Sequence, residues 1–330
     1  MDERGREGGQ ASRGSGPLRY NAFSRHLRRR YGGRVRKIPL DAGFGCPHRS
    51  GEGRREGGGC IYCENASFSP VTSSGPPPLE EQIRRGIRGA GRHRPAGFIA
   101  YFQAYTNTLG ALELLRERYD TVRGFPEIKG LAVGTRPDCV DDPVLDLLDS
   151  YCSDYEVWLE LGLQSGNDAT LGRIRRGHGV DAFLRAVERT ARRRMLVCVH
   201  VILGLPGEGR GEMMETARVL AGLPVHGVKV HHCHVVRGTP LEEAYLRGEY
   251  RPLEYSEYLS LVCDFLEEVP WPVTIHRLIG EAPVERVAAP RWGVPKPTFL
   301  RDVHQELARR GTVQGSRCGS ATSSVRRPRP

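Results

Sequence analysis

Between residues 97 and 235 one pattern repeats: a short apolar run, a polar turn, then a stretch of helical composition. The runs are 97–103 (GFIAYFQ), 129–134 (KGLAVG), 156–163 (EVWLELGL), 195–203 (MLVCVHVIL) and 227–235, with 34–40 ahead of them. Helical stretches separate them at 110–119, 143–152, 181–194 and 212–221, the third capped by Asp181. Strands that are apolar throughout are buried on both faces, which calls for a parallel sheet covered by crossover helices. Six such strands predict an α/β fold, a partial (β/α)6 barrel of the TIM type. After residue 240 the rhythm changes. Helices are expected at 241–247, 255–269 and 297–310, with a further strand at 273–278.

In parallel α/β barrels, ligands sit at the C-terminal ends of the strands. Polar residues crowd there: 103–108 (QAYTNT), 135–138 (TRPD), Gln164-Ser165 and 204–208 (GLPGE). The corresponding end of the first strand carries a glycine-rich loop with Cys46, Cys60 and Cys63, a C-x13-C-x2-C pattern. Three clustered cysteines read as a metal or redox site before they read as disulfides. A structural zinc wants four ligands, and His48 stands near enough to be the fourth. A redox CxxC at Cys60 and Cys63 would leave Cys46 idle. A [4Fe–4S] cube on three thiolates keeps one iron open to a small molecule. On spacing alone the three readings stand side by side.

The formal charge of +10 is unevenly distributed. Residues 1–37 carry +8 and residues 309–330 carry +6, so the body between them is −4. Basic ends can bind nucleic acid by releasing counterions, or can simply be solvated. Mean hydropathy of −0.45 points away from a membrane protein. The longest apolar stretch, 195–205, is interrupted by His200 and is too short to span a bilayer. The first forty residues hold no apolar signal segment, which makes the cytoplasm the expected compartment. The expected organisation is a disordered basic tail (1–19), the barrel (20–240) with its cluster loop (41–70), a C-terminal extension (241–310) and a disordered tail (311–330).

The ordered series YNAFSRHLRRRYGGRVRKIPLDAGFGCPHR, CIYC, YFQAYTNT, TRPDC, ELGLQS, RRGH, HVILGLPGE and HRLIGEAP resembles radical S-adenosylmethionine (SAM) enzymes. More narrowly, it resembles the bacterial subgroup related to the radical-SAM half of the Elongator acetyltransferase. The resemblance implies a [4Fe–4S] cluster on Cys46, Cys60 and Cys63 that cleaves SAM reductively to a 5′-deoxyadenosyl radical. It places Tyr62 near the adenine, the loop Gln103 to Asn107 (with Thr106) at the methionine group, and Arg176 and His200 among the SAM contacts. Glu160 and Gln164, four apart on one strand face with Gly162 between them, are costly to bury without a partner, which favours SAM contact over a structural pair. His231, His232, Cys233 and His234 face the same mouth, and His276-Arg277 approach from the late strand.

The resemblance further implies tRNA as substrate, modified at position 5 of the wobble uridine, and a reductant of flavodoxin or ferredoxin type. The basic segment 20–30 and the tails would supply phosphate contacts. Two alternatives stay open: a radical SAM enzyme acting on a small metabolite such as a tetrapyrrole, and a non-catalytic, zinc-stabilised protein that binds nucleic acid.

Overall fold

The computed structural model describes residues 18–48, 59–64, 76–91 and 95–318. The tail 1–17, part of the cluster loop (49–58 and 65–70) and residues 319–330 lie outside the described residues. The chain begins with helix α1 (Phe23–Tyr31) and strand β1 (Val35–Leu40), followed by α2 (Leu79–Arg88) and β2 (Gly97–Phe102). Next come α3 (Leu112–Asp120), β3 (Ile128–Thr135), α4 (Asp142–Ser150) and β4 (Glu156–Gln164). Two helices, α5 (Asp168–Arg173) and α6 (Val180–Ala191), lead to β5 (Leu196–Leu203), α7 (Arg210–Ala221) and β6 (Gly227–His232). The remainder comprises β7 (Val235–Val236), α8 (Pro240–Leu246), α9 (Tyr255–Glu268), β8 (Thr274–Arg277), β9 (Val287–Ala289) and α10 (Lys296–Arg309).

One sheet runs β1-β2-β3-β4-β5-β6-β8 with every neighbouring pair parallel. Seven parallel strands thus make a curled half-barrel, the predicted partial barrel plus the late strand, β8, which joins the same sheet. β7 and β9 pair separately and antiparallel. Side-chain alternation sorts each strand even though both faces are buried. Ile38, Leu40, Phe98, Phe102, Leu131, Val133, Leu159, Leu161, Val199 and Val230 pack outward under the helices in one apolar cluster. Ile99, Tyr101, Ala132, Trp158 and Cys198 point inward and pack with Phe23 and Leu27 of α1.

Local signals explain the boundaries. The Asp141 carboxylate caps α4 by accepting the Val144 N–H at 3.0 Å, and Pro143 suits the first turn. α1 ends at Gly32 in the left-handed conformation (φ 70°), behind Arg28, Arg29 and Arg30, whose charges oppose the helix dipole. The expected cap of α6 is corrected: Gly179 holds the cap position, and Asp168 Oδ1 accepts the Val180 N–H at 2.7 Å. Asp181 lies inside the first turn, paired with Arg185.

The C-terminal end also differs from expectation. Composition suggested disorder from residue 311, yet 311–318 is fixed to the body. Asp264 and Glu267 of α9 are buried acids that need cations. Arg310 reaches Asp264 at 2.8 Å, Arg317 reaches Glu267 at 2.7 Å, and Thr312 donates to Glu267 at 2.8 Å. The buried Gln314 amide accepts from Asn21 N and donates to the carbonyls of Pro270 and Val273, each at 2.8 Å. Arg19, expected in the N-terminal tail, donates to Thr312 O at 3.0 Å. Among the described residues no helix is long and apolar enough to cross a membrane.

Candidate active site and cofactor pocket

The described parts of the cysteine loop are tied to the barrel at several points. Gln82 of α2 holds Asp41 by a backbone pair of bonds, Asp41 N–H to Gln82 Oε1 at 2.9 Å and Gln82 Nε2 to Asp41 O at 2.8 Å. Phe44 is buried in the core, and the carbonyl before Cys46 accepts the Thr106 N–H at 3.1 Å. At the far end, Ile61 N donates to Ile174 O at 3.1 Å and Ile61 O accepts from Leu241 N at 3.0 Å. A turn closes between Cys63 N and Cys60 O at 3.0 Å. These ties bring three thiols, separated by thirteen and two residues, to one cavity of about 330 Å³ at the C-terminal ends of the strands.

The same cavity is lined by Tyr62, Gln103, Thr106, Glu160, Gln164, Arg176 and His200. Three non-glycine residues adopt positive φ among the described residues: Tyr105 (60°), Gln164 (76°) and Arg175 (54°). Two of them line the cavity and the third precedes Arg176. Left-handed backbone is costly for such side chains and gathers where function constrains the chain. A register shift between Gly162 and Gln164 breaks the regular β4–β5 pairing before it resumes at Gln164 and Val201, and the Gln164 amide comes back over Gly162. A Cβ at Gly162 would lie 2.6 Å from Arg176 Nη2 and 2.7 Å from Gln164 Nε2; glycine is what lets both approach.

Arg176 is buried, donates to Gly162 O at 2.7 Å and lies 3.7 Å from Cys60 Sγ. Its Nε has no hydrogen-bond partner among the described residues, and neither has Nη1 of Arg136, another buried residue of the lining. Arg136 is otherwise bound to Asp138 at 2.8 Å and to His48 Nε2 at 3.3 Å. Unused buried donors beside three thiols fit an anionic group between them. His48 is not among the lining residues; its ring covers Gly177, where a Cβ would overlap it.

Beneath the cavity, Glu160 is fully buried and forms the hub of a charged network. Lys37 Nζ lies 2.7 Å from Oε1, while Lys229 Nζ and His200 Nε2, the latter at 2.8 Å, meet Oε2. Burial alone would raise the Glu160 carboxyl, but Lys229 and Lys37, with the His200 bond, hold it well below the usual range. Burial and the Lys229 charge push His200 down to about 4, so the ring is neutral at pH 7 and its Nε2–H donates to Glu160. Burial pushes Lys229 down to about 7, against the pull of Glu160. The two lysine ammoniums lie 4.9 and 4.1 Å from the Tyr101 ring centroid.

Most of the sequence-derived site therefore gathers at one cavity: the three cysteines, Tyr62, Gln103, Thr106, Glu160, Gln164, Arg176 and His200. Asn107 is not brought to the cavity wall with them. It is wholly buried outside the lining, and its amide donates to Phe102 O at 3.1 Å and Gly134 O at 2.8 Å, joining β2 to β3. Lys37, Lys229 and Arg136 were not singled out from sequence, although an inward lysine on an otherwise apolar strand was a legible signal. Glu160, Cys198 and His276 place ligand atoms within 4.8 Å of one another, but two lysines already answer the Glu160 charge, so we assign no metal there.

The Radical SAM superfamily model matches residues 43–220, and the Radical_SAM C-terminal domain matches 225–309. Protein YhcC of Escherichia coli (strain K12) is 39% identical over 306 residues, 91% of this chain and 95% of that protein. The tRNA uridine(34) acetyltransferase of Methanocaldococcus infernus is 25% identical over 193 residues, 55% of this chain but 33% of that protein. The solved structure of the archaeal Methanocaldococcus infernus Elp3 superposes with a TM-score of 0.59 at 19% identity, over 72% of this chain and 59% of that one, which bears on fold alone. With its family model covering more than half of the chain, from the cysteine loop through β5, the chain belongs to the radical SAM superfamily: it is an enzyme whose cofactors are SAM and a [4Fe–4S] cluster.

Proposed function

We propose that Cys46, Cys60 and Cys63 hold the cluster and that Tyr62, Gln103, Thr106, Gln164 and Arg176 hold SAM beside it. The convergence of these residues on one 330 Å³ cavity supports the assignment. When bound, the two groups supply one-electron cleavage of SAM to a 5′-deoxyadenosyl radical, given an electron from a flavodoxin- or ferredoxin-type donor. Arg176 keeps a guanidinium against Cys60 and has one donor left for a SAM carboxylate. Hydrogen bonds to ligand sulfur tune a cluster's potential, so the same residue couples SAM binding to redox poise. His200, neutral and locked by Glu160, presents a ring of fixed tautomer to the cavity. Glu160 acts through its partners rather than by contact, keeping Lys37, Lys229 and His200 in register.

The substrate we propose is tRNA, modified at position 5 of the wobble uridine. The observation that carries this reading is the match to a relative named tRNA uridine(34) acetyltransferase, over 55% of this chain. An anticodon loop already splays its wobble base, which reduces the unstacking needed to reach a cavity inside a barrel. The test is anaerobic reconstitution with reductant and SAM, followed by nucleoside mass spectrometry of added tRNA. A uridine derivative that requires SAM supports the reading. Formation of 5′-deoxyadenosine with unaltered tRNA would redirect the search to a small metabolite.

A further inference from the structure

A half-barrel leaves its two outer strands unjoined, here β1 and β8. The basic helix α1 sits across that seam, packed on both strands, with Ala22 bridged to Ile275 of β8. Phe23 wedges the seam from inside, stacked on His276 at 3.6 Å and edge-on to Trp158 at 5.2 Å. Beside it opens a second cavity of about 750 Å³, larger than the cofactor cavity. Tyr101, Gln103 and Arg277 line both, so the seam cavity adjoins the cofactor cavity.

The seam cavity is lined by six cations, Arg28, Arg34, Lys37, Lys229, Arg277 and Lys296, and by no Asp or Glu among the described residues. Glu160 answers Lys37 and Lys229, and Glu281 answers Lys296 at 2.7 Å. Arg28, Arg34 and Arg277 have no acidic partner among the described residues. They come from both rims: Arg28 from α1, Arg34 from the approach to β1, Arg277 from the end of β8. Guanidinium forks match phosphate oxygens, and the space exceeds what an inorganic anion needs. Tyr101, Phe23 and Tyr20 give the wall an apolar side, although their ring faces already pack on Lys37 and Lys229, on His276 and on His304.

We propose that this seam is the nucleotide entry site: Arg28 and Arg34 at the rim, and Arg277 at the junction, bind phosphates of a single-stranded RNA segment and lead its base past Tyr101 and Gln103. The proposal rests on the RNA reading above. Arg28 and Arg34 belong to the basic segment 1–37, so the seam's rim carries positive charge that the body, net −4 over 38–308, does not supply.

The test compares Arg28→Ala/Arg34→Ala with Arg25→Ala/Arg29→Ala, which removes equal charge from exposed positions outside the cavity. Binding of a labelled anticodon stem-loop RNA is titrated at several salt concentrations, with unchanged melting as the control for folding. The seam variant should lose tenfold or more in affinity, and its log–log salt slope should fall by about 1.4, roughly 0.7 per lost contact on single-stranded RNA. The control pair should stay within about twofold. Equal losses in both variants, or none in either, overturn the seam while leaving the RNA reading intact. If the wild-type protein binds no RNA, the RNA reading fails and uridine 5′-monophosphate becomes the probe. Binding of it that depends on Arg28 and Arg34 keeps the phosphate site with a free nucleotide as its source; binding that does not, or none at all, overturns it.

Discussion

Glycine 162 and glutamate 160 show how tightly single residues are specified. Gly162→Ala would press a methyl group into Arg176 Nη2 and Gln164 Nε2. We expect the fold and cluster to survive while SAM binding weakens at least tenfold, as for a lost hydrogen bond to a charged group; calorimetric titration of SAM into the reconstituted protein measures it, and unchanged affinity would remove Gly162, Gln164 and Arg176 from the site together. Glu160→Ala strands the buried Lys229 ammonium and leaves the half-buried Lys37 without its partner, and should cost about 3 kcal/mol of unfolding free energy. Adding Lys229→Met should restore part of that loss in urea titrations; an additive further loss would mean that the pair does not share one network. The sequence exposed Glu160 as an expensive inward carboxylate, which is why it was legible. Its partners were not, because Lys37 and Lys229 arrive from strands 123 and 69 residues away, and no local pattern links them. Asn107 was hard to place for a related reason: a polar residue in a loop looks the same in sequence whether its amide faces the cavity or the strand carbonyls.

At the scale of elements, β5, β6 with the residues just after it, and β8 carry buried histidines held neutral. Burial pushes His200 and His234 down to about 4, and pushes His231, His232 and His276 well below the ordinary imidazole value. The unfolded chain takes up protons on these rings as pH falls through about 6.5, whereas the folded chain does not until lower pH. Their contribution is therefore complete above about pH 6.5 and is lost as pH falls toward the folded values. At pH 5 each such ring costs up to about 2 kcal/mol. Urea unfolding at pH 7.5 and pH 5 should show a smaller pH dependence for His232→Gln than for wild type; parallel losses would mean that His232 titrates alike in both states. The strands themselves were readable because continuous apolar runs leave little choice but a doubly covered parallel sheet. β8 joined that sheet from a region whose helical surroundings hid its role, and the α6 cap was misassigned because Gly179, with no side chain, supplies the cap geometry instead of Asp181.

At the scale of the whole molecule, the two ends of the described chain close on each other. Truncation after Gly311 removes Arg317, Thr312 and Gln314 and leaves Glu267 short of partners, so we expect a loss of about 2–4 kcal/mol, read as a lower urea midpoint. An unchanged midpoint would show that Arg310 suffices. Composition could not reveal this, because an Arg- and Gly-rich end looks solvated until its partners, Asp264 and Glu267, are seen to be buried. Spacing marked the three cysteines as a metal or redox site without choosing between them, and their common cavity depends on Thr106, Ile174 and Leu241, each fixing a different part of the loop. That shared cavity is the central claim, and anaerobic reconstitution tests it most directly. Iron, sulfide and zinc are quantified for wild type and for Cys46→Ala, Cys60→Ala and Cys63→Ala, and 5′-deoxyadenosine is assayed after adding SAM and reductant. We predict four irons per wild-type chain, broad absorbance near ~400 nm, and 5′-deoxyadenosine formation, with all three lost in each variant; stoichiometric zinc without iron, or SAM cleavage surviving any one of the replacements, would contradict the account.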